Sequence, residues 1–532
     1  MKKKISKYFT YKNVILLLIF LFFFIALRWN HFTAPFERDE GVYAYSAWIM
    51  RKGIMPYEYS FPYKPPMIIY TYLAGQVMFG DNVASPRILS AIFSLIAILI
   101  VGLIAKRESG KKAFWITIWL LSVMVIVPVN FGTGFLADIY YAANTEIFML
   151  LPLVGFIYLY SVYKEKAGPL VWFFSGVLGT IAVGYKPICA LILVYVYLFW
   201  IVRTWKADKS ILNIIYKLGA AFLGVVLSSF VIFLPFLLSD GGKAVSNQLI
   251  GFTNCYKDMG NWDYSISRFI NRIFVMGKYY WAVYLLVIYY LYRRPKNWGF
   301  YFGLLAVSYI SVYQSLIGHY FILIMPFLAL ISAYSIILVS KNKLFKNIHI
   351  SIITGFVILT ILLPVSGMLG KTPQELGVWV YGNYDPHVEA QIVGEKIKEM
   401  TSTEDYIYVE GMDPEILYFA NRKHAVRMEW TNFFSVSDCE FLDDYKANYM
   451  SDLGLNSPKV ISLCVSGSCS SLWEDENAKE FMDYLSDMIN RDYLPVGGWV
   501  PRDDGGYWLD YDGQEDVVYR TLIYQRKEAD QQ

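Results

Sequence analysis

Ionisable side chains recur where long apolar stretches begin or end, positions at which a charge is costly to hold and therefore informative. The first cluster reads Phe36-Glu-Arg-Asp-Glu-Gly-Val-Tyr-Ala-Tyr45, then Gly53-Ile-Met-Pro-Tyr57, then Tyr63-Lys-Pro-Pro66. Asp39 and Glu40 supply carboxylates able to take a proton from a hydroxyl, and Arg38 and Tyr57 supply donors to orient a substrate. Asp39 reads equally as the N-cap of a surface helix over 42–50, whose Val42, Tyr45, Trp48 and Ile49 share one face. Lys64 precedes two prolines that hold its backbone extended; its ammonium suits a phosphate or snorkels to the head groups. Farther along, Asn144 and Glu146 open an apolar stretch, where they cap it and complement its dipole or else join the site. Gly184-Tyr-Lys186-Pro187 sets a cation at a break between two stretches, and Gly318-His319-Tyr320 opens another, with aromatic anchoring as the alternative. Together, Asp39, Glu40 and Glu146 with Lys64, Lys186, His319 and Tyr320 suit one chemistry. Cations and hydroxyls hold a phosphate leaving group while a carboxylate activates an attacking hydroxyl.

The elements that must position these residues are apolar helices. Of 532 residues, 56% are hydrophobic and 17% charged, with mean hydropathy +0.39, too apolar for an ordinary soluble protein. Near-spanning runs recur through residue 368 and then stop, which divides the chain at that point. Residues 1–368 carry 33 Lys+Arg against 13 Asp+Glu, whereas residues 369–532 carry 14 against 31. A polyanion would meet a repulsive field at the acidic half, so nucleic acid is excluded as its partner. Five cysteines in this length exclude a disulfide scaffold.

Lys2, Lys3, Lys4, Lys7 and Lys12 precede an apolar run over 14–27 with no small-x-small cleavage site, the pattern of a retained signal anchor. Further runs lie at about 84–105, 113–130, 146–163, 170–185, 187–202, 216–238, 274–292, 298–316, 320–339 and 348–368, giving eleven crossings. With the N-terminus cytoplasmic, the basic clusters after every second crossing all fall inside, as the positive-inside rule requires. The sixteen-residue run 65–80 would invert that order if it crossed, and is therefore expected as an interfacial or re-entrant helix on the outer face. The candidate site and the tail then share the extracytoplasmic side of a plasma membrane. In the tail, 405–409 and 459–464 read as buried strands, with helices over 388–400 and 477–488, an α/β unit. Cys464 and Cys469 either close a small loop or remain thiols.

The order Asp-Glu after the first span, Gly-x-x-Pro-Tyr, Lys-Pro-Pro, a carboxylate opening a later span, Lys-Pro and His-Tyr resembles the bacterial protein O-mannosyltransferase superfamily. Those are family 39-like glycosyltransferases of the GT-C fold, among them the aminoarabinose transferases of lipid A, and the resemblance spans roughly residues 30–330. It implies an inverting membrane transferase for a hexosyl or pentosyl group, with a polyprenyl-phosphate sugar donor and an extracytoplasmic hydroxyl acceptor on protein, lipid or glycan. Asp39 would be the base or acceptor-orienting carboxylate, Lys64 and Tyr320 would hold the donor phosphate, and Glu146 would fill the acidic position of the second loop. No cofactor is obligatory and no residue is assigned to a metal, although metal-assisted transfer with a divalent cation is equally implied. Tyr63 stands where the aminoarabinose transferases carry an acid, and Glu146 where they carry Asp, so lipid A as acceptor is not supported. The rival reading is a transporter or flippase of a lipid-linked anion; it would call for paired half-sequences and broken midplane helices, and the sequence has neither. The expected architecture is thus a GT-C membrane domain over 1–368, with outer-face juxtamembrane helices, and an extracytoplasmic α/β domain over 369–532.

Overall fold

Inside lipid a chain must satisfy its own backbone, and only a helix does so within one segment. Among the described residues, each of the eleven apolar stretches contains a helix. The computed structural model describes the chain outside residues 1–10, 128–141, 164–167, 240, 257–264, 314–317, 344, 346, 382–387, 437–438, 467–474, 503–504, 514–516 and 529–532. Among the described residues, seven helices are long and apolar enough to span a bilayer: Ala84–Ser109, Thr145–Val162, Pro187–Ala207, Ile211–Leu237, Ile266–Arg293, Gly318–Ser340 and Ile350–Met368. Tyr11–Ala26, Lys111–Met124, Pro169–Tyr185 and Trp298–Ser311 have 14 to 17 residues, short of the roughly 20 of an upright crossing. The expected count of eleven depends on these four. Met67–Phe79 has 13 residues, about 20 Å of helix, and lies within the run expected to be interfacial.

Helix Met325–Ser340 is buried continuously from Met325 to Ile336 and forms the centre of the bundle. Ile211–Leu237 lies at the periphery, where Leu212, Phe222 and Val231 are exposed; apolar side chains at such positions face lipid.

The tail carries a six-stranded mixed sheet of order β2-β1-β3-β6-β4-β5. Its strands are β1 Tyr406–Val409, β2 Lys423–His424, β3 Val460–Cys464, β4 Tyr493–Val500, β5 Tyr507–Asp510 and β6 Thr521–Arg526. β1 pairs in parallel with β2 and β3, and the β3–β6, β6–β4 and β4–β5 pairs are antiparallel. The two expected strands are β1 and β3, and helices Ala390–Met400 and Lys479–Asp492 stand where helices were expected. β4 escapes a reading by alternation because Pro495, Gly497 and Gly498 interrupt it, with a register shift between Pro495 and Gly497.

The sheet domain is fastened to the long loop between Tyr11–Ala26 and Ala84–Ser109. Helix Pro414–Ala420 lies against helix Arg38–Arg51, and Gly41 permits this approach: a Cβ there would come within 2.6 Å of Glu415 N. Phe36 stacks on Phe419 with ring centroids 5.7 Å apart, His424 N donates to the Tyr45 hydroxyl at 2.8 Å, and Phe61 N donates to Glu429 Oε2 at 2.7 Å. A Cys255–Cys439 disulfide joins the loop before Ile266–Arg293 to the tail. No local pattern pairs these two cysteines, which lie 184 residues apart. Cys464 is also disulfide-bonded; Cys469 lies outside the described residues.

The seam has a titratable consequence. Burial pushes the Glu429 carboxyl up to about 8, so between an unfolded value of about 4.3 and 8 the folded chain keeps a proton that the unfolded chain releases. Stability therefore falls as pH rises through that window and levels off above it. Glu410, pushed to about 8 by burial and then by Asp413, acts in the same direction. The thermal midpoint should fall from pH 5 to pH 8. Glu429→Gln keeps an acceptor for Phe61 N and should raise the pH 8 midpoint by about 3 °C or more. Thermal melts of both proteins at the two pH values check this; equal midpoints at pH 8 would contradict a buried carboxyl at the seam.

Candidate functional site

The long loop between Tyr11–Ala26 and Ala84–Ser109 is held by Glu40 and Arg87. Glu37 caps helix Arg38–Arg51 in a capping box with Glu40, whose Oε2 accepts the Glu37 N–H at 3.1 Å. The cap is thus Glu37, and the reading of Asp39 as N-cap does not hold. Glu40 is fully buried and accepts a two-pronged pair from Arg87, Nε to Oε1 at 3.0 Å and Nη2 to Oε2 at 2.6 Å, together with Ala143 N at 2.8 Å. Arg87 also donates to the carbonyls of His31, Ala34 and Pro35 at 2.6, 2.8 and 2.8 Å. One guanidinium thereby ties the entry to the loop and its first helix to span Ala84–Ser109, and through Glu40 to the segment before Thr145.

Asp39 is half-buried beside this anchor. Its Oδ2 accepts the Tyr43 hydroxyl and its Oδ1 the Tyr63 hydroxyl, both at 3.2 Å. Burial, and after it the neighbouring Asp39, hold Tyr43 well above the ordinary phenol range, so it remains a proton donor to the carboxylate. The loop over 57–64 has positive φ at both ends, 72° at Tyr57 and 39° at Tyr63, conformations that a non-glycine residue keeps only when its surroundings impose them. Gln248 does much of this. Its Oε1 accepts Tyr63 N at 3.3 Å, and its Nε2 lies 2.8 Å from Tyr57 O, 3.0 Å from Ser60 O and 3.2 Å from the Tyr445 hydroxyl. Gln248 sits in a π-helical turn, Asn247–Phe252, a geometry frequent at functional sites. The Tyr57 hydroxyl donates to Lys64 O at 2.6 Å, and Lys64 Nζ lies 3.7 Å above the centroid of the Tyr63 ring. Among the described residues Lys64 forms no ion pair. Arg38 is half-buried at the start of the same helix.

A second group unites the ends of three later spans. Lys186 Nζ pairs with Glu146 Oε1, His319 Nε2 lies 3.5 Å from the same oxygen, and Thr145 Oγ1 donates to Oε2 at 2.9 Å. Lys186 also stands over the Tyr320 ring, 3.3 Å from its centroid. Asn144 precedes the helix that opens at Thr145, but among the described residues its buried Oδ1 has no hydrogen-bond partner, so its side chain does not cap that helix. The two groups are linked through Ala143, three residues before Glu146: its N–H donates to Glu40 Oε1 at 2.8 Å and its carbonyl accepts the Tyr72 hydroxyl at 3.0 Å. Among the described residues, no cluster of three or more His, Cys, Asp or Glu side chains is placed to hold a metal ion.

Three residues of this neighbourhood went unread in the sequence. Tyr43 carries a legible signal, since it lies one helical turn after Asp39. Gln248 and Trp430, whose ring meets Tyr63 edge-on at 6.0 Å, carry none, for each reaches the loop from a distant segment.

No family model matches the sequence, and no curated protein does. Among solved structures, the chain is similar to ArnT from Cupriavidus metallidurans in the apo state, with a TM-score of 0.60 at 14% identity over 96% of this chain and 98% of that one. It is also similar to ArnT from the same organism bound to undecaprenyl phosphate, with a TM-score of 0.58 at 12% identity over 97% and 98% of the two chains. Likeness at such identities is one of fold. The chain is a polytopic α-helical membrane protein with the GT-C fold and a C-terminal mixed-sheet unit.

Proposed function

We propose that this protein is an inverting glycosyltransferase that moves one sugar from a polyprenyl phosphate to a hydroxyl on the extracytoplasmic side of the plasma membrane. The observation that carries this reading is Asp39, held by two phenol hydroxyls in the same loop as Lys64, with the Glu146, Lys186 and His319 group tied to that loop where Glu40 accepts Ala143 N. The solved ArnT that binds undecaprenyl phosphate supports such a donor. Asp39 takes the proton of the acceptor hydroxyl as its oxygen attacks the anomeric carbon, and the bond from that carbon to the phosphate oxygen breaks. The departing phosphate is stabilised by Lys64 and the Tyr320 hydroxyl. Glu40, saturated by four N–H donors, positions the loop instead of reacting. Glu146 serves the same end for Lys186 and His319. Arg38 and Asn144, whose Oδ1 has no hydrogen-bond partner among the described residues, orient the substrates, and Tyr57, whose hydroxyl donates to Lys64 O, positions Lys64.

Residues 1–368 form the catalytic unit and residues 369–532 an outer domain resting on its first loop. The N-terminus is cytoplasmic. The Cys255–Cys439 bond favours this arrangement, since both cysteines must then face one oxidising compartment.

Lys64→Met and Tyr320→Phe keep bulk but each removes one donor to an anion. A charge-assisted hydrogen bond is worth about 1.5–3 kcal/mol, so the apparent KM for the donor should rise about tenfold or more for Lys64→Met, with a smaller rise for Tyr320→Phe, which keeps its ring over Lys186. The acceptor KM should be nearly unchanged. Transfer assays at varied donor concentration measure this, and unaltered donor dependence in both variants would remove the two residues from the phosphate site.

A further inference from the structure

A cleft of about 610 Å³ opens between the long loop before Ala84–Ser109 and the tail, a volume within the range of roughly 300–1,000 Å³ typical of ligand sites. One wall is helix Glu440–Asn456. Phe441, Tyr445 and Tyr449 line the cleft from successive turns, and so do Asp444, Asn448 and Asp452. Side chains four apart lie one above another on a helix. The helix therefore offers an aromatic stripe beside a stripe of carboxylates and an amide. Opposite them Tyr59, 54% exposed, adds another ring. Arg427 Nη2 holds Asp452 at 3.2 Å, fixing one acceptor in place.

This pairing has a specific chemical fit. A pyranose presents an apolar C–H face to an aromatic ring and a rim of hydroxyls to carboxylates and amides, which accept and donate in fixed directions. The lining holds three acids, Glu58, Asp444 and Asp452, against two cations, Lys243 and Arg427, a balance that disfavours a phosphorylated ligand. Among the described residues no strand lines the cleft, so an extended peptide finds no sheet edge there to join. The cleft also shares a wall with the proposed catalytic loop. Gln248 bridges the Tyr445 hydroxyl to Tyr63 N, and the Tyr63 hydroxyl is bonded to Asp39.

We infer that this cleft binds the acceptor as an uncharged oligosaccharide, an inference that rests on the transferase reading and gives its acceptor a chemical class. The test uses the full-length chain in nanodiscs on a printed array of neutral oligosaccharides, phosphorylated saccharides and Ser/Thr-rich peptides, with undecaprenyl phosphate binding measured on the same preparations by calorimetry. Neutral oligosaccharides should be retained. Asp444→Ala and Asn448→Ala, both on the tail helix and outside the 57–64 loop, should each weaken retention about tenfold or more, the scale of a lost anchor residue, with undecaprenyl phosphate affinity unchanged. Preference for peptides or phosphorylated saccharides would overturn the inference, as would neutral retention indifferent to both substitutions. A preparation that binds undecaprenyl phosphate but no neutral saccharide would likewise overturn it and leave the transferase reading intact. Saccharide retention through these two residues without any undecaprenyl phosphate binding would support the cleft's ligand and count against the donor instead.

Discussion

Asp39→Asn should reduce sugar transfer about a hundredfold or more, the usual scale for a general acid–base group, at nearly unchanged thermal stability. The two halves of that expectation have separate grounds. Helix Arg38–Arg51 is capped by Glu37, so Asp39 carries no capping duty. An Asn side chain still offers an oxygen to the Tyr43 or Tyr63 hydroxyl, but its amide nitrogen cannot accept from the other, and the group as a whole takes up no proton. One neutral hydrogen bond is worth about 1 kcal/mol, too little to unfold the loop that Glu40 and Arg87 anchor. Purified Asp39→Asn protein supplied with a polyprenyl-phosphate sugar decides the matter. Near-normal transfer at normal stability would refute the assignment of Asp39 as base. The companion Glu40→Gln should behave in the opposite sense. It breaks the buried pair with Arg87, so its loss of transfer should come with a lower thermal midpoint.

Lys186→Met should be the most destabilising of the single substitutions considered. Glu146 is 2% exposed, and Lys186 is its nearest cation. Removing one partner of a buried ion pair costs about 3–5 kcal/mol, because the other charge stays behind without compensation. Loss of transfer alone would therefore be ambiguous, and the double variant Glu146→Gln with Lys186→Met resolves it. Removing both charges together should recover most of the stability, since no orphaned ion remains. Transfer should stay low, because His319 and Tyr320 lose the group that places them. The measurements are thermal midpoint and transfer rate for the single and double variants. A double variant with restored stability and full transfer would reduce this trio to a structural clasp.

The sequence was most legible where a local pattern carries the physics. Apolar length sets which segments are helices in lipid, and the charge asymmetry sets the expected sides. The candidate residues were likewise legible as types, since ionisable groups beside apolar runs are rare. The strands β1 and β3 were readable because both are short, apolar and bounded by turns. Helix Glu440–Asn456 was not, because its rings line a cleft and only Leu442, Tyr449, Asp452 and Leu453 are buried; the usual single apolar stripe never forms.

Which carboxylate meets hydroxyls and which is locked to a guanidinium was decided only by the tertiary structure. Asp39 and Glu40 are adjacent, yet successive helical residues point about 100° apart, so one meets two phenols and the other meets Arg87, 47 residues away. Glu146 and Lys186 find each other across 40 residues, and Cys255 and Cys439 across 184. Gln248 reaches the 57–64 loop from 191 residues beyond Tyr57. Such pairs follow from where helices cross and how the tail settles on the first loop. Chain periodicity reports which face of a segment is apolar; it holds no information on which distant segment that face will meet.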